Sequence, residues 1–249
     1  MLRLEGKTAV VTGGGTLGIG RATAARLVAE GAHVFITGRR ADLLADAVAA
    51  IGEGVTAVPG DIAQPGGLDA VYDAVRARGK GLDVLFANAG TAGFATLDQT
   101  ADEHYDQIFD VNVKGTIRTV RDALPLLNDG ASVILNASTA ADNATPAFGA
   151  YAASKAAIRS FARTWANELT GRGIRVNAIS AGPIDTTGVD ELVGEDNAAA
   201  FKAGKGAAIA IGRMGRPDEV AAAVAFLASA DSSFIIGSNL YVDGGENQI

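Results

Sequence analysis

The chain has 249 residues, of which 48% are hydrophobic and 20% charged, with a formal net charge of −7. That length carries a full-sized core in one large α/β domain; with no run of eighteen apolar residues and no apolar leader, neither a membrane span nor export is expected, and the cytoplasm is the expected location. The acidity argues against a nucleic-acid partner, the lack of cysteine removes disulfides and thiolate metal sites, and with two histidines no catalytic metal is expected, which leaves small molecules and other protein chains.

Seven β-rich runs follow in order: TAVVT (8–12), HVFIT (33–37), VTAV (55–58), DVLFAN (83–88), SVILNAS (132–138), IRVNAIS (174–180) and NLYVDG (239–244). Segments with apolar residues three and four apart, such as RATAARLVAEG and DEVAAAVAFLASA, separate them, so the pattern is βαβα throughout. Strands apolar on both faces suit a parallel sheet covered by helices on each side. The predicted fold is therefore α/β, a doubly wound (Rossmann) seven-stranded parallel sheet in a single domain over residues 1–249. The stretch from about 184 to 212, rich in Gly, Ala and acids, is poorly patterned and reads as a substrate loop. From Asp185 to Lys205 it holds Asp185, Asp190, Glu191, Glu195 and Asp196 against Lys202 and Lys205, a net negative stretch that does not invite a polyanion.

After the first run comes TGGGTLGIG. Glycines at a strand-to-helix turn let the backbone turn with positive φ and approach a pyrophosphate, while the helix offers its N-terminal N–H groups. Gly14, Gly18 and Gly20 have a G-x-x-x-G-x-G spacing, although a tight turn without a ligand has the same look. The second strand ends FITGRR, with Arg39 and Arg40 where a carboxylate for a ribose diol would stand. Cations at a helix N-terminus oppose the macrodipole by ~0.3–1 kcal/mol each, so an anion such as an adenosine 2′-phosphate would offset them. NADP(H) is accordingly preferred over NAD(H).

Tyr151 and Lys155, four apart in YAASKAAIRSFARTWANELTGRG, share one face of a helix that stops at Gly171 and Gly173. A nearby ammonium favours the phenolate, and such a tyrosine can exchange a proton with an alcohol or carbonyl oxygen. With the glycine loop, NAG (88–90), Asn112 in DVNVKG and Ser138 in LNASTA, the sequence resembles the short-chain dehydrogenase/reductase family over nearly its whole length, in particular the 250-residue NAD(P)-dependent oxidoreductases of the 3-oxoacyl reductase-like group.

The resemblance implies that Ser138 bonds the substrate oxygen and that Tyr151 is the acid in reduction and the base in oxidation. It implies that Lys155 lowers the tyrosine pKa and binds the nicotinamide ribose, and that Asn112 helps hold a proton-relaying water. It also implies cofactor contacts at Gly14, Thr16, Gly18, Ile19, Arg39, Asp61, Ile62, Asn88, Ala89, Gly90, Tyr151, Lys155, Pro183, Ile184 and Thr186, with hydride transfer on the B face. Against the family's Thr-Gly-x-x-x-Gly-x-Gly, this loop has one inserted residue between Gly13 and Gly18, which the glycines at 14 and 15 are expected to absorb.

The expected activity is an NADP(H)-dependent interconversion of a small ketone or aldehyde and its alcohol. The other reading is a cofactor-binding sensor or scaffold without turnover. Substrate walls are expected from 91–96, from 140–148 with Asn143 and Phe148, and from the 186–206 loop. Asp129, just before the fifth strand, weakens the case for an acidic carrier protein as partner. The resemblance also implies a homotetramer or dimer formed through the helices holding Asn112 and Tyr151; Phe161 and Trp165 serve either that contact or the core.

Overall fold

Residues 2–249 are described by a computed structural model. The seven runs form β1 (Thr8–Thr12), β2 (His33–Gly38), β3 (Val55–Pro59), β4 (Leu82–Ala87), β5 (Leu127–Asn136), β6 (Arg175–Ala181) and β7 (Asn239–Val242). They make one sheet in the order β3-β2-β1-β4-β5-β6-β7, every pair parallel. The order reverses between β1 and β4, which opens a crevice above their carboxyl ends.

The two-residue period of a strand divides the core between the two faces. Val10, Leu85 and Val133 point to one side, onto α3 (Asp69–Arg78), α5 (Gly115–Ala123) and α6 (Gly149–Leu169). Ala9, Val11, Phe86 and Ile134 point to the other, onto α1 (Ile19–Ala29), α2 (Ala41–Ile51) and α9 (Pro217–Ala228). All five residues of β1 are buried for this reason. A half-buried Arg175 at the start of β6 is satisfied by the Leu227, Ser229 and Ser232 carbonyls and the Ser232 hydroxyl, closing the sheet against the end of α9.

The strand ends shift by a residue or two from the sequence reading, and two segments differ by more. The fifth strand starts earlier, at Leu127, because a register shift opposite Leu82 and Val84 accommodates the turn at Gly130, and it stops at Asn136, which frees Ser138 to begin a short 3₁₀ turn. The stretch read as an unpatterned loop contains two helices, α7 (Thr187–Val193) and α8 (Glu195–Ala207), divided at Gly194 with φ +82°. Their buried faces are too small for a hydrophobic period to show, α8 burying only Ala198 and Gly206. Charge holds them instead: Lys202 bridges Asp185 and Asp190 at 2.7 Å each. None of the described helices is long and apolar enough to cross a membrane.

Candidate active site

The crevice is a cleft of about 730 Å³. Its floor starts at the glycine loop, where the Gly13 and Gly14 N–H groups donate to the Thr37 carbonyl at 2.8 and 3.2 Å and so moor the turn to β2. Gly14, expected on the cofactor side, faces away: a Cβ there would sit 2.7 Å from Ile36. Gly13 and Gly15 line the cleft instead, followed by Thr16, Gly18 and Ile19. Gly20 is required by close approach, since a Cβ would fall 2.2 Å from the Gly13 carbonyl oxygen. The inserted residue is thus taken up by packing Gly14 and Gly15 onto Ile36 and Leu44, while the turn into α1 keeps its tight geometry.

Arg39, Asp61, Ile62, Asn88, Ala89, Gly90, Pro183, Ile184 and Thr186 all reach the cleft wall. Arg39 makes no ion pair among the described residues, whereas Arg40 meets Glu191 of α7 at 3.0 Å. Asp61 uses one oxygen to accept the Ala63 N–H at 2.9 Å, the turn role open to any aspartate there. The Thr37 hydroxyl and the Asn136 side-chain oxygen, both on the cleft wall, are buried without a partner. A glycine turn at the N-terminus of α1 and a guanidinium without an ion pair, both on the cleft, fit a pyridine dinucleotide.

Ser138, Tyr151 and Lys155 converge on the same wall. Ser138 caps its 3₁₀ turn, accepting the Ala140 N–H at 3.1 Å, which orients the hydroxyl. Tyr151 is carried in by the first turn of α6. Burial pushes its phenol above the ordinary tyrosine range, with Ser138 as the neighbour that pulls the other way. Lys155, 5% exposed, is pushed down to about 8 by burial. Its Nζ lies 5.6 Å from the centre of the Tyr151 ring and donates to the Asn136 carbonyl at 2.7 Å. Desolvation sets the direction for the tyrosine, and the opposing pull comes from Ser138 and not from Lys155, whose ammonium is turned to the Asn136 carbonyl.

Asn112 sits one layer behind, in a π-helical turn (Asp110–Lys114) between α4 (Asp102–Phe109) and α5. Its side-chain oxygen accepts the Thr91 N–H at 2.7 Å, and its amide donates to the Thr91 carbonyl and the Ser154 hydroxyl at 2.9 and 3.0 Å. It joins the strand-end segment after β4 to α6.

Sequence reasoning missed three parts. Thr12 accepts the N–H groups of Asn88 and Ala89, both at 3.0 Å, and Asn88 in turn binds the Thr12 carbonyl and Asn136, a lattice invisible without knowing that β1, β4 and β5 are neighbours. Phe94 and Phe148 lie in the stretches expected to wall the substrate, but their stacking on one another, with centroids 4.8 Å apart, and that of Phe148 on Tyr151 at 4.4 Å, was not foreseen. Glu246, near the end of the chain, lines the cleft and accepts a hydrogen bond from Thr139.

Residues 14–247 match the family described as "Enoyl-(Acyl carrier protein) reductase". The chain is 47% identical over 250 residues to "Oxidoreductase asL5" of Sarocladium schorii, covering 99% of this chain and 98% of that one. It is 32% identical to the 3-oxoacyl-[acyl-carrier-protein] reductase FabG of Thermotoga maritima, covering 98% and 99%. A solved short-chain type dehydrogenase/reductase from Mycobacterium marinum superposes with a TM-score of 0.89 at 32% identity, over 100% of this chain and 98% of that one. The protein belongs to the short-chain dehydrogenase/reductase family. It is an oxidoreductase acting between CH–OH and C=O with NAD(P)(H).

Proposed function

We propose that the enzyme interconverts a small, uncharged ketone or aldehyde and its alcohol with NADP(H), Tyr151 exchanging the proton. The convergence of Ser138, Tyr151 and the buried Lys155 on one cleft wall carries this reading. A bound nicotinamide would supply the hydride to the carbonyl carbon or take it from the alcohol. Arg39 would hold the adenosine 2′-phosphate, the glycine turn the pyrophosphate, and Pro183, Ile184 and Thr186 the carboxamide end.

Ser138 donates to the substrate oxygen and offsets the charge that grows there. The raised phenol of Tyr151 keeps its proton at neutral pH, which suits it to give that proton to the carbonyl oxygen in reduction. Lys155, held against the Asn136 carbonyl, supplies a positive charge beside the phenol as the proton leaves. Asn112 acts as a positioning residue, fixing Thr91 and α6 relative to one another.

A free compound is favoured over an acyl-carrier conjugate because Arg172, the cation near β5, is committed to its own chain: it pairs with Asp129 at 3.0 Å and donates to the carbonyls of Leu124 and Leu127. Self-association as a homotetramer or dimer through α5 and α6 is part of the proposal. Phe161 and Trp165 stack on each other at 4.7 Å and pack against the core.

Tyr151→Phe tests the assignment. It is expected to cost on the order of 10³ or more in kcat/KM on a ketone panel while the variant still binds cofactor, as read by fluorescence titration. Turnover surviving that substitution would remove Tyr151 as the proton donor; a cofactor-sensing role would instead show as a wild type without turnover whose cofactor response the variant keeps.

A further inference from the structure

The wall beside Ser138 carries an acid that the proton exchange does not use. Residues after β7 are locked in place: Asp243 accepts the Gly245 and Asn247 N–H groups at 3.0 and 3.1 Å, and Gly244 and Gly245 turn with φ of +64° and +91°. The tail is also bound to the cleft, with Asn247 donating to the Thr139 carbonyl at 3.0 Å. Thr139 is 3% exposed and follows Ser138, and its hydroxyl donates to Oε2 of Glu246 at 2.6 Å. The second oxygen, Oε1, has no hydrogen-bond partner and Glu246 no ion pair among the described residues, yet the residue lines the cleft.

We propose that Glu246 selects the substrate, its free oxygen taking a hydroxyl or N–H donor carried by the carbonyl compound and turning away compounds that bear a carboxylate there. A carboxylate with one oxygen anchored and one open accepts a strong, charge-assisted hydrogen bond, and it repels a second anion across a short, poorly screened distance. The stack of Phe94, Phe148 and Tyr151 in the same cleft offers an apolar platform for a ring or other flat group on the remainder of the molecule. The substrate class is then a ring-bearing carbonyl compound with a neighbouring hydroxyl or amine.

This selection rests on the carbonyl-reductase reading, and the test separates the two. The probes are α-hydroxyacetophenone, which carries the donor, α-methoxyacetophenone, which lacks it, and phenylglyoxylate, which carries an anion. Each is measured with wild type and Glu246→Gln, by NADPH oxidation and by displacement of NADPH fluorescence in the enzyme–NADPH complex, which needs no turnover.

The wild type is expected to favour the hydroxyketone over the methoxyketone roughly tenfold and over phenylglyoxylate by more. In Glu246→Gln the amide oxygen can still accept from Thr139, so Tm and NADPH affinity should hold while the order levels and phenylglyoxylate gains at least roughly tenfold. A binding order like this without turnover upholds the selection and sinks the redox reading. Turnover with the same ratios in both proteins, or no wild-type preference for the donor, overturns the selection and leaves the redox reading standing; the wild-type series decides alone if the variant fails to fold.

Discussion

The ammonium of Lys155 is anchored on the Asn136 main-chain oxygen, 2.7 Å away, and not on the phenol four residues before it. Asn136 donates its side-chain amide to Asn88 at 3.0 Å, and Asn88 donates to the Thr12 carbonyl at 2.9 Å. The ends of β1, β4 and β5 therefore fix where the positive charge stands. The helix that bears the Tyr and Lys pair determines only which face the two share.

That burial makes the lysine a pH reporter. Its folded value of about 8 lies below the ordinary 10.5, so between those values the unfolded chain binds the proton that the native protein has released, and stability contributed by this group rises with pH. The cost of burying the charge is complete below pH 8 and gone above 10.5. Relative to Lys155→Met, wild type should gain on the order of 3 kcal/mol as pH is raised through that window, measured by denaturant unfolding of both proteins at matched pH values. A constant gap would show that the lysine is not desolvated.

The two arginines after β2 should separate in cofactor binding. Arg39 is unpaired and Arg40 is held by Glu191, both reaching the cleft. Arg39→Ala is expected to weaken NADPH roughly ten- to a hundredfold and to leave NADH nearly unchanged, because a charged hydrogen bond to phosphate contributes about 1.5–3 kcal/mol. Arg40→Ala should cost NADPH less. Equal losses of NADH and NADPH in the Arg39 variant would remove the case for 2′-phosphate recognition.

Two glycines of the loop should answer differently to alanine. Gly20→Ala drives a methyl into the Gly13 carbonyl and is expected to lower stability by about 2 kcal/mol or more, with cofactor binding lost. Gly18 has extended backbone and its added methyl would meet only Thr186 at 3.5 Å, so Gly18→Ala should stay within about 1 kcal/mol of wild type. Thermal melts of the two variants decide it; similar melting temperatures would mean that the turn into α1 is looser than described.

Local pattern made the sheet, the glycine turn and the Tyr151–Lys155 pair legible, since each is written in residues a few positions apart. Spacing cannot tell which glycine of a run lines the cleft, because the packing of Gly14 against Ile36 belongs to the neighbouring strand. The helices α7 and α8 escaped because small residues and ion pairs, not a hydrophobic stripe, hold them. Glu246 left no trace at all, being joined to Thr139 across 107 residues of sequence.

The wide turn around Asn112 has an evolutionary corollary. A residue removed anywhere between Asp110 and Lys114 would restore an ordinary α-helical path and swing the amide by about 100° around the axis, off Thr91 and Ser154. What descent must preserve in this segment is a tally of positions as much as an asparagine, so substitutions can accumulate there where a single-codon deletion cannot.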